Sequence, residues 1–126
     1  MTFPKFIPDR SGVAAIEFAL LTPLFIGLIF VIIEAGFLIF TQVGLEHGVE
    51  SAARCAAVNT SACGDLASIQ TYAASQTYVK SIPASAFSYI QDTCGKEVKA
   101  NYTFTFFPSG YLGTSIPLSA QACFSN

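Results

Sequence analysis

The chain has few charged residues, and those it has are scattered along the sequence. Lysine and arginine together number 6 of 126 residues, against 8 aspartates and glutamates, so the formal net charge is −2 at pH 7. Binding to nucleic-acid phosphates needs clustered lysine and arginine side chains, and the sequence has no such cluster. We therefore exclude nucleic acid as a partner.

Residues that build catalytic or metal sites are also scarce. The sequence has one histidine, His47, and no serine or cysteine has a histidine and an acid spaced as in a nucleophile system. The four cysteines lie 8, 31 and 29 positions apart, so the close ligand pairs of a zinc site are missing. We expect no catalytic residue, metal, cofactor or small-molecule substrate, and hence no enzyme.

What the sequence does have is one long apolar run near its start. Hydrophobic residues make up 52 % of the chain, the mean hydropathy is +0.55, and the excess lies in residues 13–40. As a helix, the stretch from Phe18 to Phe40 spans about 34 Å, enough to cross a hydrocarbon core of roughly 30 Å. We assign residues 13–41 to a transmembrane helix.

The lysine and the arginine that precede this run indicate its orientation. By the positive-inside rule, the N-terminus is cytoplasmic and residues 42–126 form a head on the other side of the membrane. The competing interpretation is a cleavable secretory signal, whose apolar region runs about 7–15 residues and ends in a small-x-small site. Here the run is much longer, and Ala35-Gly36 is followed by four more apolar residues, so a membrane anchor is favoured.

All four cysteines follow the apolar run, which supports a head outside the cytoplasm. An even count in a small non-cytosolic module indicates disulfides, with three possible connectivities. Cys55 ends the extended helix and Cys63 follows one short turn later, so we expect these two to pair. Cys94 and Cys123 then form the second bridge.

Helical periodicity continues beyond the membrane segment. An apolar stripe at i, i+4, i+7 and i+11 predicts that the helix extends over 42–58; it consists of Leu45, Val49, Ala52 and Ala56. A second amphipathic helix is predicted over 65–80, with Asp65 as its N-cap. Within the long helix, Pro23 is expected to bend or loosen the backbone. Small residues allow close contact between helices inside lipid. In this helix the small residues are Gly27, Gly36, Gly44 and Gly48.

The remainder of the head alternates with a period of two. This pattern predicts strands at about 86–91, 97–107 and 116–124, with a loop of about eight residues at 108–115. We expect an α+β fold in which a three-stranded antiparallel meander packs on the outer part of the long helix. An antiparallel pairing centred on the 108–115 loop places residue 123 opposite about 99–100. A bulge or the turn itself must therefore bring Cys94 within disulfide distance of Cys123.

A carboxylate lies near the start of the apolar run. Glu17 lies five residues after Gly12, and an ionisable residue placed there is costly in lipid, so its default interpretation is functional. Cutting after Gly12 would free the α-amino group of Val13. Glu17 of a neighbouring copy, or of the same first turn, could then pair with it where a low dielectric strengthens the attraction. The alternative is a glutamate solvated at the level of the lipid headgroups.

These residues carry a resemblance to a known family. Residues 12–18, which read GVAAIEF and include Phe18, resemble the prepilin-peptidase processing motif of type IV pilin-like proteins in the short-leader form of Tad (Flp) systems. The resemblance continues through Ala19–Leu24, through Glu34-Ala35-Gly36 and through Ala52-Ala53-Arg54, and covers roughly residues 10–58. In these features the chain is similar to the TadE-like proteins, the minor pilins or pseudopilins of tight-adherence pilus machines.

The resemblance implies a function. Residues 1–12 would be a leader removed by a prepilin peptidase, and the mature protein would be a structural subunit of the inner membrane with a periplasmic head. Its partners would be other Tad pilins or pseudopilins and the assembly platform of this cell-adhesion pilus. Glu34 and Arg54 are candidate intersubunit residues, although Glu34 could instead reach outward to the membrane surface.

The long C-terminal part favours a minor component over the main fibre subunit. The sequence leaves open whether the protein enters the extracellular fibre and what the fibre adheres to. The alternative function is a secreted, disulfide-bonded binding module released by an ordinary signal peptidase.

Overall fold

The computed structural model describes residues 11–107 and 113–125. Most of the expected leader and most of the expected 108–115 loop lie outside these described residues. The chain forms two compact units, one up to Ala35 and one from Gly36 onward. A long helix, a short helix and a three-stranded antiparallel sheet are present, which confirms the expected α+β class.

Helix α1 comprises Ser11–Val58. In the first unit its residues from 12 to 35 are exposed, apart from the half-buried Thr22 and Glu34. Pro23 lies inside the helix, where it cannot donate a backbone hydrogen bond. The preceding Thr22 donates its Oγ1 hydrogen to the carbonyl oxygen of Phe18 at 2.6 Å. Among residues 12–35, no side chain therefore forms part of a core, and the apolar side chains of this stretch are exposed.

The part of α1 that belongs to the second unit has one buried face. The predicted stripe of four apolar residues is buried and belongs to the hydrophobic core, which confirms the helical period read from the sequence. The helix ends at Val58, and Asn59 stabilises the chain beyond it. The Asn59 backbone N–H donates to the Cys55 carbonyl at 2.8 Å, and its Oδ1 accepts from the Ala62 N–H at 3.2 Å.

Helix α2 comprises Leu66–Gln76, with Asp65 as its N-cap. We expected it to continue to residue 80, but the backbone turns earlier, because Tyr78 has a φ of 59° in the left-handed region. The buried Thr77 holds this turn. Its Oγ1 donates to the Ala74 carbonyl at 2.9 Å and accepts from the Val79 N–H at 3.4 Å.

The sheet is a meander of three strands in the order β1-β2-β3. Its strands are β1 (Phe87–Asp92), β2 (Gly95–Thr105) and β3 (Ser115–Phe124). Cys123 lies opposite Glu97, so the expected register, with residue 123 opposite 99–100, was wrong by two to three positions. The last pair before the loop is Thr105 with Ser115. The hairpin is therefore centred closer to the N-terminus than the expected 108–115 loop.

The core of the second unit lies between the two helices and one face of the sheet. Packing of the sheet against α1 was expected, whereas the part of α2 in this core was not. It is formed by apolar residues from α1, α2, the segment after α2 and all three strands. Along β2, the buried Val98 and Ala100 flank the half-buried Lys99, as a period of two requires. The largest fully buried side chains are Phe87, Leu45, Ile69, Val49, Val98 and Thr77.

Candidate functional site

The four residues of the expected processing motif lie in the first two turns of α1. Gly12, Val13, Glu17 and Phe18 are all exposed, and Phe18 is 74 % exposed. A Cβ added to Gly12 would meet no atom within 4 Å. Packing within the described residues therefore does not require glycine at position 12.

Val13 and Glu17 stand four residues apart and so lie on the same face of the helix, one turn apart. In a chain that began at Val13, the glutamate would lie one turn from the start of α1, near the end of the helix dipole that favours negative charge. Glu17 and Glu34 lie about 25 Å apart along the axis, so these two acids, the ones within residues 11–35, cannot form one site.

The two candidate intersubunit residues have different surroundings. Glu34 is half-buried on α1 of the first unit, whereas Arg54 is exposed on α1 of the second unit. Glu46 and Glu50 precede Arg54 at intervals of four, so these three side chains share the outward face of the helix. Arg54 is thus accessible to another molecule, as an intersubunit role would require.

The cysteines are joined in the two expected pairs. Cys55 and Cys63 form a disulfide with their Cα atoms 5.8 Å apart, and it ties the end of α1 to the segment that precedes α2. Cys94 and Cys123 form the second, with a Cα separation of 6.3 Å. Cys94 lies in the β1–β2 turn, which is next to the end of β3. The turn therefore brings Cys94 close to Cys123, although the two residues are not paired across the strands.

Two polar contacts between α1 and the sheet were not predicted. The Lys96 ammonium donates to the Ala56 carbonyl oxygen in the last turn of α1. Gln42 Nε2 donates to the Ser119 carbonyl oxygen of β3 at 3.1 Å and to Glu46 Oε1 at 2.9 Å. No local motif marks these residues, because both contacts depend on the tertiary packing of the sheet on the helix.

A shallow groove lies beside these contacts, between the exposed face of α1 and the outer edge of β3. Its volume is about 750 Å³, and it is lined by Glu46 and Glu50 with residues 99–101 and 119–122. His47 lies on α1 nearby in sequence and contacts the Gln76 carbonyl through Nδ1 at 3.0 Å. Among the described residues no group of three or more His, Cys, Asp or Glu side chains could hold a metal ion.

Together these features define a class of protein. One helix among the described residues is long and apolar enough to cross a membrane, and only 6 % of its most apolar window is buried. It continues into a small α+β unit that is closed by two disulfides. This is the organisation of a single-pass, membrane-anchored protein.

A comparison with known proteins found one family match. Residues 12–54 match the family model described as TadE-like protein, so this part of the chain is similar to that family. The matched segment begins at Gly12 and ends at Arg54, so it includes the motif residues and leaves out α2 and the sheet. No curated protein and no solved structure matched the chain.

Proposed function

We propose that this protein is a minor pilin or pseudopilin-like structural subunit in the assembly of a Tad-type pilus. It is anchored in the inner membrane by α1, with a cytoplasmic N-terminus and a periplasmic head, and it is processed by a prepilin peptidase. The observation that carries the proposal is the TadE-like match over a helix whose apolar surface is exposed. Such a surface needs lipid or the helices of other subunits around it.

The motif geometry supports the processing step. A Cβ at Gly12 would meet no atom within 4 Å, so no described side chain crowds the bond to Val13. After cleavage, Glu17 would remain exposed one turn from the new α-amino group, available to that amine or to the amine of a neighbouring subunit. Both roles need an exposed first turn, and the helix has one.

Mass measurement of the mature protein tests the proposal. In cells with a working pilus apparatus we expect the N-terminus at Val13. Gly12→Ala or a bulkier substitution should block cleavage, because the added side chain crowds the scissile bond. Gly27→Ala is the matched control, since position 27 is also an open position on the same helix and should leave processing intact.

Two results would contradict this function. An intact Met1 would refute processing at Gly12. A start near residue 36 or later would instead favour the alternative, a secreted disulfide-bonded module released by an ordinary signal peptidase.

A further inference from the structure

The outer side of β3 is an open edge of the sheet. Residue pairs along an antiparallel ladder alternate, and the backbone groups of every second pair point away from the partner strand. The Ser119 carbonyl accepts from Gln42 of α1, so the pair of Asn101 and Ser119 is of this kind. Because the pattern repeats every two residues, Gln121 also directs its backbone N–H and carbonyl to the open edge.

One half of this edge is protected and the other half is open. In the first half, Pro117 has no N–H to offer, and the Ser119 carbonyl is already bonded to Gln42. In the second half, no hydrogen bond from another described residue reaches the outward backbone groups of Gln121. An open strand edge of this kind is a template for pairing with another chain.

The open half of the edge adjoins the groove of about 750 Å³ between β3 and α1. Ala120 and Ala122 lie on the face of β3 that packs toward the core, and their methyl side chains leave space beside them. On the helix side, the groove is lined by Glu46 and Glu50, which are both exposed. An added strand would therefore have room for long side chains between β3 and the helix.

Two hydrogen bonds show how the strands run relative to this part of α1. Lys96, near the start of β2, donates to the Ala56 carbonyl in the last turn of the helix. Ser119 of β3 lies opposite Asn101, which is five residues further along β2. It accepts from Gln42, which is fourteen residues before Ala56. The strand β2 therefore runs antiparallel to α1, and β3 runs parallel to it.

The two carboxylates on the helix match the spacing of a strand. Glu46 and Glu50 are four residues apart and so lie about 6 Å apart along α1. Alternate residues of a strand, whose side chains share one face, lie about 6.7 Å apart. A strand added to β3 would place two such side chains opposite Ala120 and Ala122, on the face where both carboxylates lie.

The charges beside the groove favour a basic occupant. Glu46 accepts from the neutral Gln42 Nε2 at 2.9 Å, and Glu50 forms no ion pair within the described residues. The third charged residue of the lining, Lys99, is bound to Glu97 at 3.3 Å, on the opposite face of β2 from the core. Two carboxylates are therefore left for cations of another molecule.

A second copy of the chain does not supply these cations through its strands. Neither edge strand, β1 or β3, contains lysine or arginine. Pairing of two β3 edges would also bring the Glu46 and Glu50 side chains of both copies to one interface, where like charges repel.

We propose that the open half of β3, around Gln121, binds an extended segment of another polypeptide by strand addition. Two basic side chains of this segment, two positions apart, pair with Glu46 and Glu50. The backbone hydrogen bonds to Gln121 provide affinity for any extended chain, and the two carboxylates select the sequence. This inference concerns the head alone, and it goes beyond the proposed role in pilus assembly without depending on it.

Peptide binding to the full chain in a non-ionic detergent tests the inference. The probe is a fluorescently labelled, end-capped peptide Thr-Lys-Val-Lys-Thr, and fluorescence anisotropy at low ionic strength gives its Kd. We expect the double variant Glu46→Gln, Glu50→Gln to weaken binding several-fold, because it removes both charges and keeps the shape of the groove. Asp92→Asn is the matched control, since Asp92 is an exposed carboxylate of β1, with β2 between it and the groove.

Two further peptides separate strand addition from attraction by charge alone. In one the two lysines are adjacent, with the composition unchanged. The other is methylated on the backbone nitrogen of its valine, which removes the N–H that would donate to the Gln121 carbonyl and keeps both charges. We expect both peptides to bind several-fold more weakly than the probe.

Several results would overturn the inference. These are no binding of the probe, equal binding to the double variant, and equal binding of the methylated peptide. A dimer of the chain in which the Gln121 amide is protected from hydrogen exchange would mean that a second copy occupies the edge, and it would also overturn the inference.

Discussion

Gly44 of α1 packs directly against the backbone of Thr77: a Cβ built on Gly44 would lie 2.5 Å from the Thr77 carbonyl oxygen. Gly48, one turn later, is similar, since its Cβ would lie 2.8 Å from Thr77 Cγ2. The two glycines therefore let the end of α2 approach α1 closely. This contact lies inside the head, whereas the sequence suggested that these glycines serve helix contacts in lipid.

Replacing Gly44 by alanine should destabilise the head. Overpacking typically costs about 1–3 kcal/mol, which exceeds the roughly 1 kcal/mol that alanine gains in helix propensity. We expect the free energy of unfolding of the head to fall by about 1 kcal/mol. Gly36→Ala is the control, because its Cβ would meet no atom within 4 Å. Denaturant unfolding of the detergent-solubilised chain, followed by near-ultraviolet circular dichroism, compares them, and equal stability of both variants would refute the packing argument.

The helix α1 and the strands could be predicted because their burial follows a simple period. Leu45 and Val49 repeat at helical spacing, and Val98 and Ala100 repeat at strand spacing, so each pattern identifies its element and its inward face. The end of α2 could not be predicted. It depends on the left-handed Tyr78 and on the buried Thr77 hydroxyl, and no local residue preference favours tyrosine in that conformation.

The sheet register and the interhelical glycines were missed for a related reason. The sequence between β2 and β3 has no tight two-residue turn that would fix the pairing, so the register depends on how the strands pack on α1. Gly44 and Gly48 look like Gly27 and Gly36 in sequence, yet only the first two meet another element within the described residues. Tertiary packing decides both features.

Lys96 should contribute to the stability of the head through the end of α1. The last carbonyl groups of a helix lack intrahelical partners, and a cation near them also interacts favourably with the helix dipole. The Lys96 ammonium donates a hydrogen bond to the Ala56 carbonyl and places a positive charge at this end of the helix. We therefore expect Lys96→Met to lower the free energy of unfolding by about 1 kcal/mol. The exposed Lys80 gives the control, and Lys80→Met should change stability by less than about 0.5 kcal/mol. Indistinguishable unfolding curves for the two variants would rule out this contribution.

The two disulfides should differ in their rate of reduction. Thiol–disulfide exchange requires that a thiolate reach one sulfur, and Cys94 is exposed whereas Cys63 is buried. We therefore expect limited reduction to open Cys94–Cys123 before Cys55–Cys63. Alkylation at successive times, followed by peptide mapping, gives the order. Earlier labelling of Cys55 and Cys63 would contradict it, and a crossed linkage in the non-reduced map would overturn the pairing.

Glu17 should matter for assembly but not for membrane insertion. Glu17→Gln leaves the apolar run of α1 intact, so the variant should remain in the membrane fraction after alkaline extraction. A neutral side chain cannot form an ion pair with an α-amino group, so co-purification with partner pilins and the number of pili should fall several-fold. Asp92→Asn serves as the matched control, since Asp92 is an exposed carboxylate within the head. If Glu17→Gln supports normal piliation and normal co-purification, the pairing of Glu17 with a freed amine is wrong, and the residue is then a glutamate solvated among the lipid headgroups.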